Sequence, residues 1–367
     1  MIRARNARVA LAFLLAAPLV GAACHLESEG RDVQLAHVSR TTDGRLGGTL
    51  SLVEADGTPI TLDAQQTMVT VETRAAGGTY QAASNVVVDF HASPLLDVAV
   101  VVDNSGSQEE YLPVVQDALR EVAHGVLTGD HPDRVGLVRV STIASIMHGL
   151  ATDEAILDPA IDDLFVSNGW TALWDGIRLG NEMLVNERVA AAPASGACYV
   201  GTAPNIVVFT DGRDNNSADE HVTSYSGDGI DTVAADLTQL QVSGIPTPVH
   251  IVAVGSEVDD AALAHLAEAS GGRYTNLAGY DSLAVAMATT AAQIAALVPV
   301  CFTPASCTHT EVRIRVKTKV QGEWVTLEQV LPLAPSCESE PAPEEQPAPE
   351  EQPAPEEKPA PEEEPAP

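Results

Sequence analysis

The stretch DVAVVVDNSGS, residues 97–107, decides the fold of this chain. After Asp97, the run 98–102 contains only Val and Ala, which is typical of a strand buried on both faces of a parallel sheet. Asp103, Ser105 and Ser107 follow this run directly. Ligand sites of open α/β sheets lie at the carboxyl ends of strands. The stretch therefore predicts a buried strand that leads into a loop of oxygen-bearing side chains.

The residues that follow repeat this pattern of apolar runs separated by helical periodicity. Strands that alternate with helices imply a mostly parallel sheet covered on both faces. We therefore expect a doubly wound α/β domain over residues 95–300. The last helical pattern is rich in Ala, but Thr289, Thr290 and Gln293 favour a covering helix over a membrane span. The predicted strands are 98–102, 134–141, 206–209 and 249–254, and the predicted helices are 111–126, 173–189, 232–242, 260–269 and 282–297.

The segments on either side of this domain read as β-structure. Residues 49–53 and 60–62 flank Asp56-Gly57, a hairpin signal. Runs 68–73 and 86–90 are also β-rich, and alternating apolar and basic residues from 312 to 317 indicate a strand solvated on one face. We expect residues 24–94 and 301–337 to be two β-rich segments, and residues 33–94 and 308–333 to meet in one β-sandwich from which the α/β domain emerges. The alternative is two separate β appendages.

Two further loops carry oxygen ligands in the same setting. Residues 169–173, GWTAL, open a predicted helix and contain Thr171, and residues 207–212, VVFTDG, end a predicted strand and contain Asp211. Because the carboxyl ends of parallel strands meet at one edge of a sheet, these loops are expected to approach the Asp103 loop. Carboxylate and hydroxyl oxygens are hard ligands, which suit Mg²⁺, Mn²⁺ or Ca²⁺ better than zinc.

With these three loops, residues 97–107 resemble the opening strand and loop of a von Willebrand factor type A (VWA) domain. Residues 266–274, LAEASGGRY, are similar to the late helix-to-strand junction of that family. The resemblance covers roughly residues 95–300 and implies a Rossmann-like fold with a metal-ion-dependent adhesion site. It implies that Ser105 and Ser107 coordinate the metal through their hydroxyls. It further implies that Asp103 and Asp211 hold the metal directly or through water, and that Thr171 does so according to the state of the domain.

The expected function follows from the preferred coordination of Mg²⁺. Mg²⁺ takes six oxygen ligands and keeps several waters, so an exposed site has a position for an incoming group. We expect metal-dependent binding of a protein ligand that donates an Asp or Glu carboxylate. The alternative is an envelope-assembly or structural scaffold that binds through the β-sandwich and an acidic tail, with an incidental metal. A third interpretation, a metal-dependent hydrolase, lacks an evident general base near Asp103 and Asp211, so we expect no enzyme.

The amino terminus predicts export. Residues 1–23 place Arg3, Arg5 and Arg8 before a short apolar run and end in Gly-Ala-Ala, the pattern of a signal peptide. Cys24 follows at once, which resembles a bacterial lipoprotein signal and implies that Cys24 is acylated. The alternative is ordinary cleavage after Ala23. His25 stands where an inner-membrane retention signal would have Asp, which favours the outer membrane. We therefore expect an exported cell-envelope protein, on its periplasmic or surface face, that touches the membrane only through its amino-terminal lipid.

The carboxyl terminus and the overall charge set further limits. Residues 338–367 consist largely of a Pro-Ala-Pro-Glu-Glu repeat with no apolar side chain larger than Ala, so we expect this tail to be disordered. The chain of 367 residues has a formal net charge of −32, which argues against nucleic acid as a partner.

The remaining cysteines agree with export. Cys198, Cys301, Cys307 and Cys337 are an even number, which predicts disulfides in an oxidising compartment, and the sequence leaves their pairing open. A zinc site is the competing interpretation, and the absence of any Cys-x-x-Cys disfavours it.

Overall fold

A computed structural model describes residues 30–40, 45–129, 131–167, 169–187, 202–218, 237 and 239–333. Several predicted features lie outside these residues: the signal peptide 1–23, Cys24, Cys198, Cys337 and the tail 338–367. The strands of the described part are β1 (Asp32–Arg40), β2 (Leu46–Val53), β3 (Thr67–Arg74), β4 (Gln81–Ala82), β5 (Ser84–Val88), β6 (Leu95–Asp103), β7 (Arg134–Val140), β8 (Ala144–Ala151), β9 (Thr202–Thr210), β10 (Gln241–Val242), β11 (Ile245–Pro246), β12 (Val249–Val254), β13 (Tyr274–Leu277), β14 (Val298–Thr303), β15 (Glu311–Val320) and β16 (Glu323–Pro332). Its α-helices are α1 (Leu112–Leu127), α2 (Glu154–Asp162), α3 (Leu173–Asn186), α4 (Asp260–Ser270) and α5 (Leu283–Ala295).

The central sheet has six strands in the order β13-β12-β9-β6-β7-β8. All neighbours in it are parallel except β7 and β8, which are antiparallel. Strand β6 lies inside the sheet, and every residue from Leu96 to Asp103 is buried. The four predicted strands coincide with parts of β6, β7, β9 and β12, except that the second was predicted one residue beyond the end of β7, so the prediction of a mostly parallel α/β sheet is confirmed.

Helices cover both faces of this sheet because each buries an apolar stripe against it. On one face, α1 and α5 share a core cluster with alternate residues of β6, including Val98, Val100 and Val102. On the other face, α3 and α4 share a second core cluster with Ala99 and Val101. Helices α1 and α5 pack closely at Gly125, where an added Cβ would lie 2.7 Å from the Cβ of Ala291. The alternation along β6 therefore divides the core into two layers.

The structure departs from the predicted elements in several places. The predicted strand 60–62 is wrong, because Pro59 forms only an isolated bridge with Val53. The predicted helix 232–242 lies mostly outside the described residues, and its last two residues form the short strand β10 instead. Strand β8 and helix α2 were not predicted.

Two four-stranded antiparallel sheets lie outside the α/β domain, and together we call them the flanking β unit. One has the order β1-β2-β14-β5, and the other has the order β16-β15-β3-β4. Strand β15 of the carboxyl-terminal segment pairs along β3 of the amino-terminal segment. Buried residues from both sheets, such as Leu50, Phe302 and Ile314, form one hydrophobic cluster. Strand β14 begins at Val298, so the flanking β unit takes up residues that the sequence had assigned to the α/β domain.

The α/β domain is inserted between two neighbouring strands of the flanking β unit. The chain leaves this unit after β5 and returns to it as β14, which pairs antiparallel with β5. The amide of Asp89 donates to the carbonyl of Pro299 over 2.9 Å at this entry and exit point. Polar contacts join the two parts elsewhere. Arg273 Nη2 donates to the Ala55 carbonyl over 2.9 Å, and His37 Nε2 lies 2.9 Å from the Pro204 carbonyl oxygen.

Among the described helices, none is both long enough and apolar enough to cross a membrane. Helix α5, the Ala-rich helix of the sequence, covers the central sheet and buries Leu283, Met287 and Ile294.

Candidate metal site at the carboxyl edge of the central sheet

Asp103 is the last residue of β6 and is completely buried. Its Oδ1 accepts a hydrogen bond from the backbone amide of Ser105 over 3.0 Å. Its Oδ2 accepts one from the hydroxyl of Thr210, the last residue of the neighbouring strand β9, over 2.8 Å. The carboxylate is therefore fixed from two sides by groups at the carboxyl ends of adjacent parallel strands.

Three loops bring the five predicted site residues together at this edge. The hydroxyl oxygens of Ser105 and Ser107 are 3.2 Å apart. The Ser107 hydroxyl donates to Oδ1 of Asp211 over 2.8 Å. Thr171 Oγ1 and Asp103 Oδ2 each lie 3.8 Å from the position that a Cβ on Gly212 would occupy. The second and third loops therefore both lie close to the Asp103 carboxylate.

The Thr171 loop is held in place by backbone contacts with residues beyond Asp211. The Thr171 amide donates to Oδ1 of Asn215 over 2.6 Å. The amides of Asn215 and Asn216 donate to the Thr171 carbonyl over 2.9 and 3.1 Å. Asp214 Oδ2 accepts from the Trp174 amide over 2.9 Å at the start of α3. The asparagines after Asp211 therefore position Thr171, and Asp214 satisfies a free amide at the helix start.

Electrostatics at the site favour a bound cation. Burial, together with the nearby charge of Asp211, raises the pKa of Asp103 from 3.8 to about 6, against hydrogen bonds that lower it. Exposure increases from Asp103 outward: Ser105 and Thr171 are buried, Asp211 is half-buried and Ser107 is exposed. Two carboxylates this close repel one another when both are ionised, and a divalent cation between them would remove that cost.

The donor set fits a hard divalent cation. It consists of two carboxylates and three hydroxyls, all oxygen ligands of the kind that Mg²⁺, Mn²⁺ or Ca²⁺ prefer. In the part of the chain that the structure describes, no three His, Cys, Asp or Glu side chains gather into a metal site of their own. A metal at this edge would therefore depend on the hydroxyls as well as the carboxylates.

Sequence reasoning missed two residues that touch the site. Thr210 was part of the quoted strand end, but its hydroxyl contact with Asp103 was not predicted. Tyr280, just before α5, places its hydroxyl 2.6 Å from Oδ2 of Asp211. A lone tyrosine in a Gly-Tyr-Asp-Ser string carries no motif, so only the folded arrangement reveals this contact.

Exposed apolar side chains lie on loops that are tied to the site, and we call them the apolar rim: Ile143, Phe165 and Trp170. Their exposures are 67%, 56% and 60%, respectively. Trp170 precedes Thr171, and its amide donates to Thr142 Oγ1 over 3.3 Å, next to Ile143. The Phe165 carbonyl accepts from the Asn104 side chain, beside Asp103. The candidate metal ligands and exposed apolar side chains are therefore neighbours at one edge.

Comparison with known proteins places this fold in a family. The profile of the von Willebrand factor type A domain matches residues 97–288, more than half of the chain. The chain therefore belongs to the von Willebrand factor type A domain family. A search of curated proteins finds no match.

Three of the solved structures with similar folds are the following. The first is proximal thread matrix protein 1 from the mussel byssus with a zinc-occupied MIDAS motif, at 18% identity and a TM-score of 0.41, covering 58% of this chain and 48% of that one. The second is a von Willebrand factor type A protein from Catenulispora acidiphila, at 12% identity and a TM-score of 0.43, covering 82% and 72%. The third is the conserved hypothetical protein BatB from Bacteroides thetaiotaomicron, at 15% identity and a TM-score of 0.38, covering 55% and 98%. The chain spans about half the length of the mussel protein.

Proposed function

We propose that this protein binds a carboxylate-bearing protein ligand through a divalent metal, Mg²⁺ or else Mn²⁺ or Ca²⁺, held at the carboxyl edge of the central sheet. The single observation that supports this proposal is the convergence of Asp103, Ser105, Ser107, Thr171 and Asp211 from three separate loops. These loops are far apart in the sequence and meet only in the folded chain. The carboxylate and hydroxyl oxygens that they bring together are the ligands that a hard divalent cation prefers.

Each residue has a role in this proposal. Asp103 and Asp211 supply negative charge, directly or through water, while Ser105, Ser107 and Thr171 supply hydroxyl oxygens. The bound cation would act as a Lewis acid that accepts a carboxylate oxygen from the ligand. The Asn215 contact holds Thr171 at the site, and the Thr210 hydroxyl holds Asp103. No general base is assigned, and we propose binding without turnover.

The apolar rim supports a ligand with apolar side chains beside its acidic residue. Ile143, Phe165 and Trp170 present exposed apolar area next to the polar ligands. Aromatic residues of this kind dominate the energetics of protein interfaces, and burial of their area would add affinity that the metal contact alone lacks. Arg139 lies over the Phe165 ring at 4.6 Å from its centroid, which stiffens one side of this surface.

Isothermal calorimetry with Mg²⁺, on the full chain and on Asp211→Ala, tests the metal site. We expect binding by the parent chain and a large loss of affinity in the variant.

A peptide-display selection with Mg²⁺ then tests the ligand class. Recovered peptides should contain Asp or Glu, should be released by EDTA and should not be retained by Asp211→Ala. Equal titrations of the two proteins, or selected peptides without an acidic residue, would rule out the proposal.

The scaffold alternative predicts a different dependence. If the flanking β unit and the Pro/Glu tail carry the interaction, deletion of residues 338–367 should abolish peptide or protein capture and EDTA should not. Removal of the same tail should leave metal-dependent capture unchanged if the proposed site is correct. The deletion of residues 338–367 and the addition of EDTA therefore distinguish the two proposed functions.

We further propose that the chain is exported and tethered to the outer membrane by a lipid on Cys24. The basic, apolar and small-residue order of residues 1–23 supports export. The same compartment would allow Cys198, Cys301, Cys307 and Cys337 to form disulfides, in a pairing that the sequence leaves open. Mass spectrometry of the mature amino terminus tests the tether: a lipidated Cys24 supports it, and an unmodified Cys24 argues for simple cleavage.

A further inference from the structure

Helix α5 is joined to the candidate metal site by the side chain of Tyr280. This residue lies in a short 3-10 turn, Tyr280–Ser282, that leads into α5. Its hydroxyl is 2.6 Å from Asp211 Oδ2 and 3.2 Å from Gln108 Oε1. A hydroxyl has a single proton, and the shorter distance to an ionisable carboxylate identifies Asp211 as its acceptor.

The two oxygens of Asp211 are thereby held by different loops. Ser107 donates to Oδ1 and Tyr280 donates to Oδ2. The Asp211 side chain is half-buried at the end of β9, so these two contacts fix the plane of its carboxylate. A carboxylate whose two oxygens are each held by a neutral donor keeps its negative charge, and the remaining lone pair of each oxygen points in a fixed direction.

The tyrosine itself is held by packing on both sides. Its ring stacks on Tyr111 with centroids 3.8 Å apart and an interplanar angle of 4°, and its edge faces Phe209 at 6.2 Å. Gln108, which lies under the hydroxyl, is completely buried, and its Nε2 has no partner among the described residues. If the amide of Gln108 turns over, this Nε2 can donate to the tyrosine oxygen and leave the tyrosine proton for Asp211.

We propose that Tyr280 is a positioning residue of the metal site, which orients Asp211 through a hydrogen bond and so raises the affinity for a divalent cation. This inference rests on the proposed metal-binding function, because Tyr280 acts through Asp211 and does not itself reach the cation. Partners that orient metal ligands in this way commonly contribute tenfold to a hundredfold in metal affinity.

The test compares Tyr280→Phe with Tyr111→Phe in the full chain. Phenylalanine keeps the stacked ring in both variants, and only the first removes the hydroxyl that contacts Asp211. We expect calorimetric titration with Mg²⁺ to show a loss of about tenfold in affinity for Tyr280→Phe and less than a twofold change for Tyr111→Phe. Both variants should unfold in one cooperative transition in EDTA, as the parent chain does, which shows that they remain folded.

A spectroscopic readout separates positioning from a general structural role. Mg²⁺ should change the near-ultraviolet tyrosine absorbance of the parent chain and of Tyr111→Phe, and this change should be absent from Tyr280→Phe. Equal Mg²⁺ affinities of the parent and Tyr280→Phe, or a difference spectrum that survives the substitution, would overturn the role of Tyr280 alone. A parent chain that binds no Mg²⁺ would overturn the metal site and this inference together.

Discussion

The hydroxyl of Ser107 donates a 2.8 Å hydrogen bond to Oδ1 of Asp211, a residue 104 positions further along the chain. This contact joins the first and third loops of the candidate metal site. Both side chains offer oxygen atoms to the same site. The loss of either should therefore lower the affinity for a cation and remove the contact between the two loops.

Ser107→Ala should therefore reduce Mg²⁺ affinity by about tenfold or more, because it removes one hydroxyl ligand and one of the contacts that orient Asp211. The matched control is Ser306→Ala, which removes a serine hydroxyl paired with Thr308 in the flanking β unit. Calorimetric titration of both variants measures the difference. If the two serine variants bind Mg²⁺ equally well, Ser107 is not a metal ligand.

Asp103→Asn should make the metal-free protein more stable while it abolishes Mg²⁺ binding. The pKa of Asp103 is raised to about 6 in the folded protein from 3.8, so the folded state binds more protons than the unfolded state between these pH values. Stability of the metal-free chain is then lost as pH rises through this window, by up to about 3 kcal/mol at pH 7. Asparagine removes that loss because it stays neutral.

Urea unfolding in EDTA at pH 4 and pH 7 measures this effect, and the same experiment with excess Mg²⁺ measures the gain from the metal. The parent chain should be stabilised by Mg²⁺ and the Asn variant should not be. An Asn variant that is less stable than the parent in EDTA at pH 7 would contradict the argument.

His37→Asn should reduce the sensitivity of the fold to acid. His37 is buried at the contact between the flanking β unit and the central sheet, 2.7 Å from Thr49 Oγ1 and 2.9 Å from the Pro204 carbonyl. Burial lowers its pKa from 6.5 to about 4. The unfolded state therefore binds more protons between about pH 6.5 and 4, and stability falls by up to about 3 kcal/mol as pH drops through this window.

Asparagine suits this position because the His37 backbone has a φ of 55°, a conformation that Asn tolerates better than most residues. The measurement is the change in free energy of unfolding between pH 7 and pH 4.5 for the parent, for His37→Asn and for His124→Asn, a histidine whose side chain is 64% exposed. His37→Asn should show the smaller change and His124→Asn should match the parent. Identical changes in all three proteins would show that His37 does not titrate in this range.

Trp170→Ser should weaken the capture of acidic peptides about tenfold and leave Mg²⁺ affinity unchanged, since exposed aromatic residues at an interface contribute affinity by burial. Trp324 offers a matched control, because it is 54% exposed on β16, in the flanking β unit. Fluorescence anisotropy of a labelled selected peptide measures both variants in the same Mg²⁺ concentration. Equal peptide affinities for the two tryptophan variants would exclude the apolar rim from the ligand contact.

Much of the α/β domain was predictable because its strands are short apolar runs between periodic helices. Strand β12 was predicted with its observed bounds, and β6 was predicted within a longer strand. Helix α2 was missed because Pro159 stands inside it, and proline within a helical pattern ordinarily indicates a break. Strand β8 was missed because it is a half-exposed edge strand with register shifts against β7, so its sequence lacks a clean alternation.

The candidate site was predictable only in so far as its ligands follow strand ends. Asp103 and Asp211 each follow an apolar run, and the rule that such ends meet at one edge brings them together. Tyr280 follows no such rule, because its approach to Asp211 depends on how the turn before α5 packs on Tyr111. Contacts that arise from packing between distant segments leave no local pattern in a single sequence.

The insertion of the α/β domain between β5 and β14 has a mechanical consequence. If the molecule is pulled between residues 30 and 333, the load enters at β1 and leaves at β16, which belong to the flanking β unit and touch where the Leu35 amide donates to the Gln329 side chain over 2.6 Å. The inserted domain is connected to this unit through two adjacent strands, β5 and β14. It does not lie on the path along which the force is transmitted. A protein stretched between these two residues should then keep the loops of the candidate metal site undistorted until the flanking sheets unfold.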